Sequence, residues 1–228
     1  RDYKPHKPKL HRKCDNIGSS LITLSSDTGG INIRNSEIAN ATVNIQSNAS
    51  GWRNGFFQNL TFKNSSITAT MAGENWIPLN MTLDENSKFV FTGAQGRLFL
   101  TNDENVLSNT LSITNGSSME SSVRGNYLST TLEGGLVKLE LNSGSFSGEQ
   151  LFVVRTTTAN SKALVEAKNG STMAVQELKF IMRESSDDKS LVLVNVDSNS
   201  NIRASMITAT SAEINAKAQI DTETGSMS

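Results

Sequence analysis

The sequence predicts an all-β fold, a right-handed parallel β-helix (β-solenoid) of about seven coils of about 27 residues each. Three observations carry this expectation. Apolar and polar residues alternate from Leu21 onward, as in Leu21/Thr23 against Ile22/Leu24, then Ile31/Ile33, Val43/Ile45 and Leu60/Phe62. That is the period of a strand with one buried face. A phrase of alternating residues, then a cluster of Asn, Ser, Gly or Asp, then another apolar residue recurs as NLTFKNSSIT (59–68), SNTLSITNGSSME (108–120), LVKLELNSGSFSG (136–148), KALVEAKNGSTMAV (162–175) and LVLVNVDSNSNIRA (191–204), with looser copies at INIRNSEIAN (31–40) and NMTLDENSKFVF (80–91). Finally, anchors placed at Ile38, Ile67, Phe89, Met119, Phe146, Met173 and Ile202 return at intervals long enough for three short strands and three turns.

Composition agrees with a narrow, elongated core. Of the 228 residues 36% are apolar and 6% aromatic, thin for a compact globule, while a charged fraction of 19% with net charge −1 is unlike a disordered chain. Ser, Thr and Asn fill the difference.

Taken in order, residues 1–16 form a basic irregular arm. Arg1, Lys4, Lys7, Lys9, Arg12 and Lys13 stand there against Asp2 and Asp15, with Pro5 and Pro8 and no hydrophobic period. An arm of this kind suits an anionic surface or nucleic acid, but short basic leaders commonly have no specific role, and no nucleic-acid partner is expected. His6, His11 and Cys14 lack a convincing fourth donor, so no metal or other cofactor is expected. The single cysteine excludes an internal disulfide framework. The chain opens at Arg rather than Met, which leads us to expect a segment of something longer.

Residues 17–228 are expected to form the solenoid segment. Equivalent residues of successive coils should stack about 4.8 Å apart, giving a rod of roughly 34 Å. One inward column is expected as Leu60/Met81/Leu111/Val137/Leu164, and a second as Ile67/Phe89/Met119/Phe146/Met173/Ile202. The pairs Asn64-Ser65, Asn115-Gly116 and Asn169-Gly170 are read as the corner between them, because Asn and Gly accept left-handed backbone angles. The same pairs make two-residue hairpins, so antiparallel neighbours joined at Asn115-Gly116 are the competing arrangement. The stretch 211–220 fits a helix or a strand. Segments 47–56, 72–79, 92–97, 122–127 and 183–190 interrupt the repeat and are expected to project as loops, with Trp52, Arg53, Trp76 and Arg97 as the residues to examine for binding. The plainer reading has Trp52, Phe56 and Trp76 packing those loops onto the rod.

Catalytic machinery is not expected. Both histidines lie in the arm, and no P-loop, dinucleotide glycine fingerprint or HExxH is present. Glu140 and Glu166 are the one carboxylate pair of interest, outward on adjacent coils about 5 Å apart, a separation that suits glycoside hydrolysis or calcium. An outward Glu on a strand is more often a solvated side chain. Asp187-Asp188 is a similar charged loop pair. Seven sequons begin at Asn40, Asn48, Asn59, Asn64, Asn80, Asn115 and Asn169, each a candidate glycan acceptor. The repeat's Asn corner multiplies such sequons without any glycan.

The phrases NLTFKNSSIT, LSITNGSSME, LELNSGSFSG and EAKNGSTMAV resemble the β-helical passenger and stalk regions of Gram-negative surface proteins: the two-partner-secreted adhesins of the filamentous-haemagglutinin and high-molecular-weight type, and autotransporter passengers. The resemblance implies a secreted or cell-surface virulence adhesin, or an exotoxin stalk. Its partners would be a host cell-surface protein or glycan, copies of itself, and an outer-membrane translocator during export. The alternative function is a polysaccharide-active β-helix such as a phage tailspike or lyase. Sequons are modified by a cytoplasmic glycosyltransferase in some of those adhesins, which bears on the seven here.

Overall fold

The computed structural model describes residues 20–27, 31–48, 54–72, 75–102, 106–182, 189–211, 217–222 and 226–227. The basic arm, Trp52, Arg53 and Asp187-Asp188 lie outside them. The chain is an all-β, right-handed parallel β-solenoid with a spacing near 26 residues per turn, and no helix occurs among the described residues. Seventeen strands pair in parallel, in almost every case with the strand two places on in sequence, Asn75–Asp84 pairing also with the next strand, Lys88–Thr101. The anchor column is in register as Ile22↔Val43↔Ile67↔Phe89↔Met119↔Phe146↔Met173↔Ile202↔Met227.

Two corrections of register follow. Ile38 does not start the anchor column; it pairs with Phe62, and Val43 takes the place beside Ile67. The other column continues from Leu60, Met81 and Leu111 to Leu139, Val165 and Val194, not to Val137 and Leu164. Val137 faces inward two residues earlier, beside Ala163, while Leu164 lies opposite Lys138 on the outer surface. In LVKLEL and KALVEA adjacent apolar residues occupy both faces, so alternation alone does not say which one points inward.

Each coil has three sides but only two strands. From Lys88 onward the first side, for example Leu136–Asn142, ends at the Asn cluster, and the second and third share one long strand such as Ser145–Thr156, whose register shifts between Gly148 and Leu151. That bulge is the second corner, made without breaking the strand. In the N-terminal coils the long strands Asn54–Lys63 and Asn75–Asp84 instead join a third side to the next first side. The segments 75–79, 92–97 and 122–127 are not projecting loops. They belong to the strands Asn75–Asp84, Lys88–Thr101 and Ser118–Ser129. The register shift in Lys88–Thr101 begins at Gly93, where a Cβ would collide with the Met71 carbonyl. The stretch 217–222 is strand.

The first corner is left-handed, as expected. Asn40, Asn64, Asn115 and Asn169 have φ of 53, 44, 49 and 56°. Although Asn115-Gly116 resembles a hairpin turn, the strands on either side of it, Ser108–Thr114 and Ser118–Ser129, pair with neighbouring coils and not with each other. The inward columns alternate ring and thioether, Phe89, Met119, Phe146, Met173, all at most 1% exposed.

Candidate functional site

Four arrangements on this scaffold bear on function: the corner ladders, the outer surface of the third side, the charged patch on the first, and the groove and polar rows of the second. At the corner, side chains bridge coils. Asn64 Nδ2 donates to Asn40 Oδ1 (2.8 Å), Asn169 to Asn142 (2.7 Å) and Asn115 to Asp84 (2.7 Å), and at a separate left-handed kink within the strands Asn59 donates to Asn35 (2.9 Å). Inside the corner runs a buried serine ladder that the sequence reading missed. Ser87 Oγ accepts from the Ser65 amide (3.2 Å), Ser117 from Ser87 (3.0 Å), Ser171 from Gly144 (3.2 Å) and Ser200 from Ser171 (3.1 Å). Each hydroxyl caps an amide that bends away from the sheet, where an unbonded N–H would be costly. Its signal was present in the sequence as the Ser that follows Asn64, Asn86, Asn115-Gly116, Asn169-Gly170 and Asn199. Asn102 and Asn109 are likewise buried: Asn102 Nδ2 bonds the Leu136 carbonyl (2.9 Å), and Asn109 Nδ2 bonds those of Pro78 and Thr101 (both 2.8 Å).

All seven sequon asparagines are exposed. The +2 hydroxyls differ. Those of Ser117 and Ser171 are buried in the serine ladder, whereas Thr42 and Ser66 are exposed. Asn48 closes a separate contact, donating to Asp27 Oδ1 at 3.1 Å.

Of the loop candidates in the described residues, Trp76 is at 0% exposure, its ring stacked on Phe89 (4.9 Å, 15°) and edge-on to Phe57 (5.1 Å). It fills the core and presents no surface to a ligand. Arg97 is half-buried on the outer surface of the third side, in register with Gly125. Beside it the structure assembles a group the sequence did not reveal. Phe99 and Tyr127, register partners, stack at 4.7 Å and 12°, and the Arg155 guanidinium lies over both, 5.4 Å from the Tyr127 ring and 6.0 Å from that of Phe99. Arg155 Nε donates to Ser129 Oγ at 2.8 Å. A planar guanidinium on aromatic faces is held by ring quadrupole and stacking together. Gly125 makes room, since a Cβ there would approach the Tyr127 ring at 2.9 Å. These three residues come from three coils, so spacing along the chain could not signal them.

Glu140 and Glu166 are register partners, as read from the sequence. Lysines surround them. Lys138 Nζ lies 2.7 Å from Glu166 and 3.3 Å from Glu140, and Lys168 Nζ 2.8 Å from Glu166. Partial burial pushes the Glu166 carboxyl up, but its hydrogen bonds and charge contacts with Lys138 and Lys168 outweigh this and hold it below the ordinary carboxylate range. A general acid for glycoside cleavage needs the opposite shift. A shallow groove of about 220 Å³ lies on the second side, lined by Val90, Glu120, Ser121, Ser122, Ser147 and Glu149. Above it, towards the N-terminal coils, the same surface is uncharged: Thr23, Asn44 and Thr68 form one in-register row and Ser25, Gln46, Thr70 and Thr92 another. Thr70 and Thr92 hydroxyls bond at 3.0 Å.

No protein-family model matches the chain, and no curated protein matches it in sequence.

Proposed function

We propose that the chain is a rigid, non-catalytic binding segment of an exported bacterial surface adhesin or exotoxin stalk, which holds host receptors or glycans, or a further copy of itself, against its outer surfaces. The observation that carries this reading is the rank of outward groups in fixed register. Hydroxyl and amide rows on the second side repeat at the strand spacing, and the Phe99–Tyr127–Arg155 stack stands on the third. A repeating ligand meets such a surface many times over, so modest contacts add without an enclosed pocket. The lysine-neutralised Glu140/Glu166 pair favours contact over polysaccharide cleavage.

The test is binding of the purified chain to glycan arrays and to host cells. Phe99→Ala with Tyr127→Ala and Arg155→Ala, and separately Thr68→Lys with Thr70→Lys, are expected to leave the strand-type circular dichroism intact. At least one set should weaken binding about tenfold or more, the scale of losing an interface's anchoring residues. Unchanged binding in both sets, or turnover of a polysaccharide lost in Glu140→Gln/Glu166→Gln, contradicts the proposal.

A further inference from the structure

The first corner comes in two lengths. Lys63 to Ser66 and Asn142 to Ser145 take three steps, while Asp84 to Lys88, Thr114 to Ser118 and Lys168 to Thr172 take four, because register is fixed on either side of each corner. The extra residue bulges outward in the long corners. Asp197 to Asn201 also takes four steps, so the corner at Asn169 has a short corner before it and a long one after, the reverse of the corner at Asn115.

This difference separates two otherwise equivalent Asn-Gly-Ser turns. Asn115-Gly116 and Asn169-Gly170 share exposure and left-handed angles, φ 49 and 77° against 56 and 77°. Asn115-Gly116 follows the long corner at Glu85-Asn86, and a Cβ on Gly116 would meet Asn86 Oδ1 at 2.3 Å. The Gly116 amide donates to the Ser143 carbonyl (2.7 Å), and the Asn115 carbonyl accepts from Asn86 N (3.0 Å). Asn169-Gly170 follows the short corner at Ser143, whose Oγ donates to the Asn169 carbonyl (3.0 Å), and the Asn169 backbone amide donates to Asp197 Oδ2 (2.7 Å), so the two turns differ at the glycine. Nothing lies within 4 Å of where a Gly170 Cβ would be, and among the described residues the Gly170 amide has no hydrogen-bond partner.

We propose that Asn169 is a site of spontaneous deamidation and isomerisation, and that Asn115 is its protected twin. The Gly170 backbone nitrogen attacks Cγ of Asn169, a C–N bond forms, and the amide proton leaves with the side-chain nitrogen as ammonia. Water then opens the five-membered succinimide at either carbonyl, giving aspartate or isoaspartate. Glycine is the neighbour that permits the attack, since it has no side chain to hinder the required backbone rotation. In the folded chain that rotation must first break the turn's contacts. At Asn115 these include a bond to the attacking nitrogen itself; at Asn169 that nitrogen is already unbonded. The new carboxylate replaces a side-chain amide that donates to Asn142 Oδ1 at 2.7 Å, so that bond is lost, and an isoaspartyl link lengthens the backbone of a corner whose step number sets register. A glycan on Asn169 would occupy the same side-chain nitrogen and block the reaction.

The experiment is peptide mapping of the unglycosylated full chain, incubated folded at pH 8.5 and 37 °C, with isoaspartyl methylation as the second readout. Conversion at Asn169 is expected about fivefold or more faster than at Asn115, the factor that one hydrogen bond of ordinary net strength is worth. In denaturant the two should convert at similar rates, since both are Asn-Gly-Ser. Equal or faster conversion at Asn115 in the folded chain, or conversion at Asn169 no faster than at Asn64, overturns the proposal.

Discussion

The residue that decides the corner is asparagine in the left-handed region. At φ near 44–56° a β-carbon costs roughly 1–2 kcal/mol, which Asn offsets by bonding locally and Gly avoids. Asn64→Ala is therefore expected to destabilise by about 1–2 kcal/mol, and Asn64→Gly by distinctly less, in chemical denaturation. Ser171→Ala removes the hydroxyl that caps the Gly144 amide and is expected to cost about 1–3 kcal/mol, the penalty of leaving a buried donor unbonded. Acid should act at the same corner. Donation from Asn115 and Thr114 outweighs partial burial and holds the Asp84 carboxyl low; Asp197 is held low by Ser200 and the Asn169 amide. A group depressed in the folded state stabilises above its unfolded pKa, near 4, and that stability is lost as pH falls through the lower folded value. Denaturation midpoints should thus be level near neutrality and fall below about pH 4, with Asp84→Asn flattening part of the fall.

At the scale of the element, the corner was legible because its chemistry is local. The Asn cluster states a backbone angle, and the Ser that follows it caps one. Side assignment was less legible. Val137 and Leu164 were misplaced because LVKLEL and KALVEA are apolar on both faces, and only pairing with neighbours fixes which face is inward. The second corner was misread as loops because a bulge within a strand interrupts the repeat just as a projecting loop does. Trp76 illustrates the consequence. Read as part of a loop it was a ligand candidate; as part of the strand Asn75–Asp84 it is the centre of a cluster with Phe57, Phe89 and Phe91. Trp76→Ala is expected to cost about 3–5 kcal/mol by equilibrium denaturation, as for large core aromatics. Arg97→Ala, on the outer surface, should stay within about 0.5 kcal/mol. The Phe99–Tyr127–Arg155 stack was invisible beforehand for a different reason: it is a property of register between coils, and a shift of one residue in any of them disperses it.

For the whole molecule, stability is a sum of coil units and their interfaces, so the binding surfaces exist only while neighbouring coils keep step. Corners of two lengths show how the chain varies a coil without losing register, and their order along the chain separates the open Gly170 from the crowded Gly116. Register is accordingly the central claim, and paired cysteines in a Cys14→Ser background test it directly. Neighbouring parallel strands place register partners about 4.8 Å apart, within disulfide reach. Ser118→Cys with Ser145→Cys, partners across adjacent coils, is predicted to oxidise to a single intramolecular bridge in the folded protein. Bridging of Ile113→Cys with Ser118→Cys in its place, the pairing of an antiparallel hairpin about Asn115-Gly116, would contradict the solenoid.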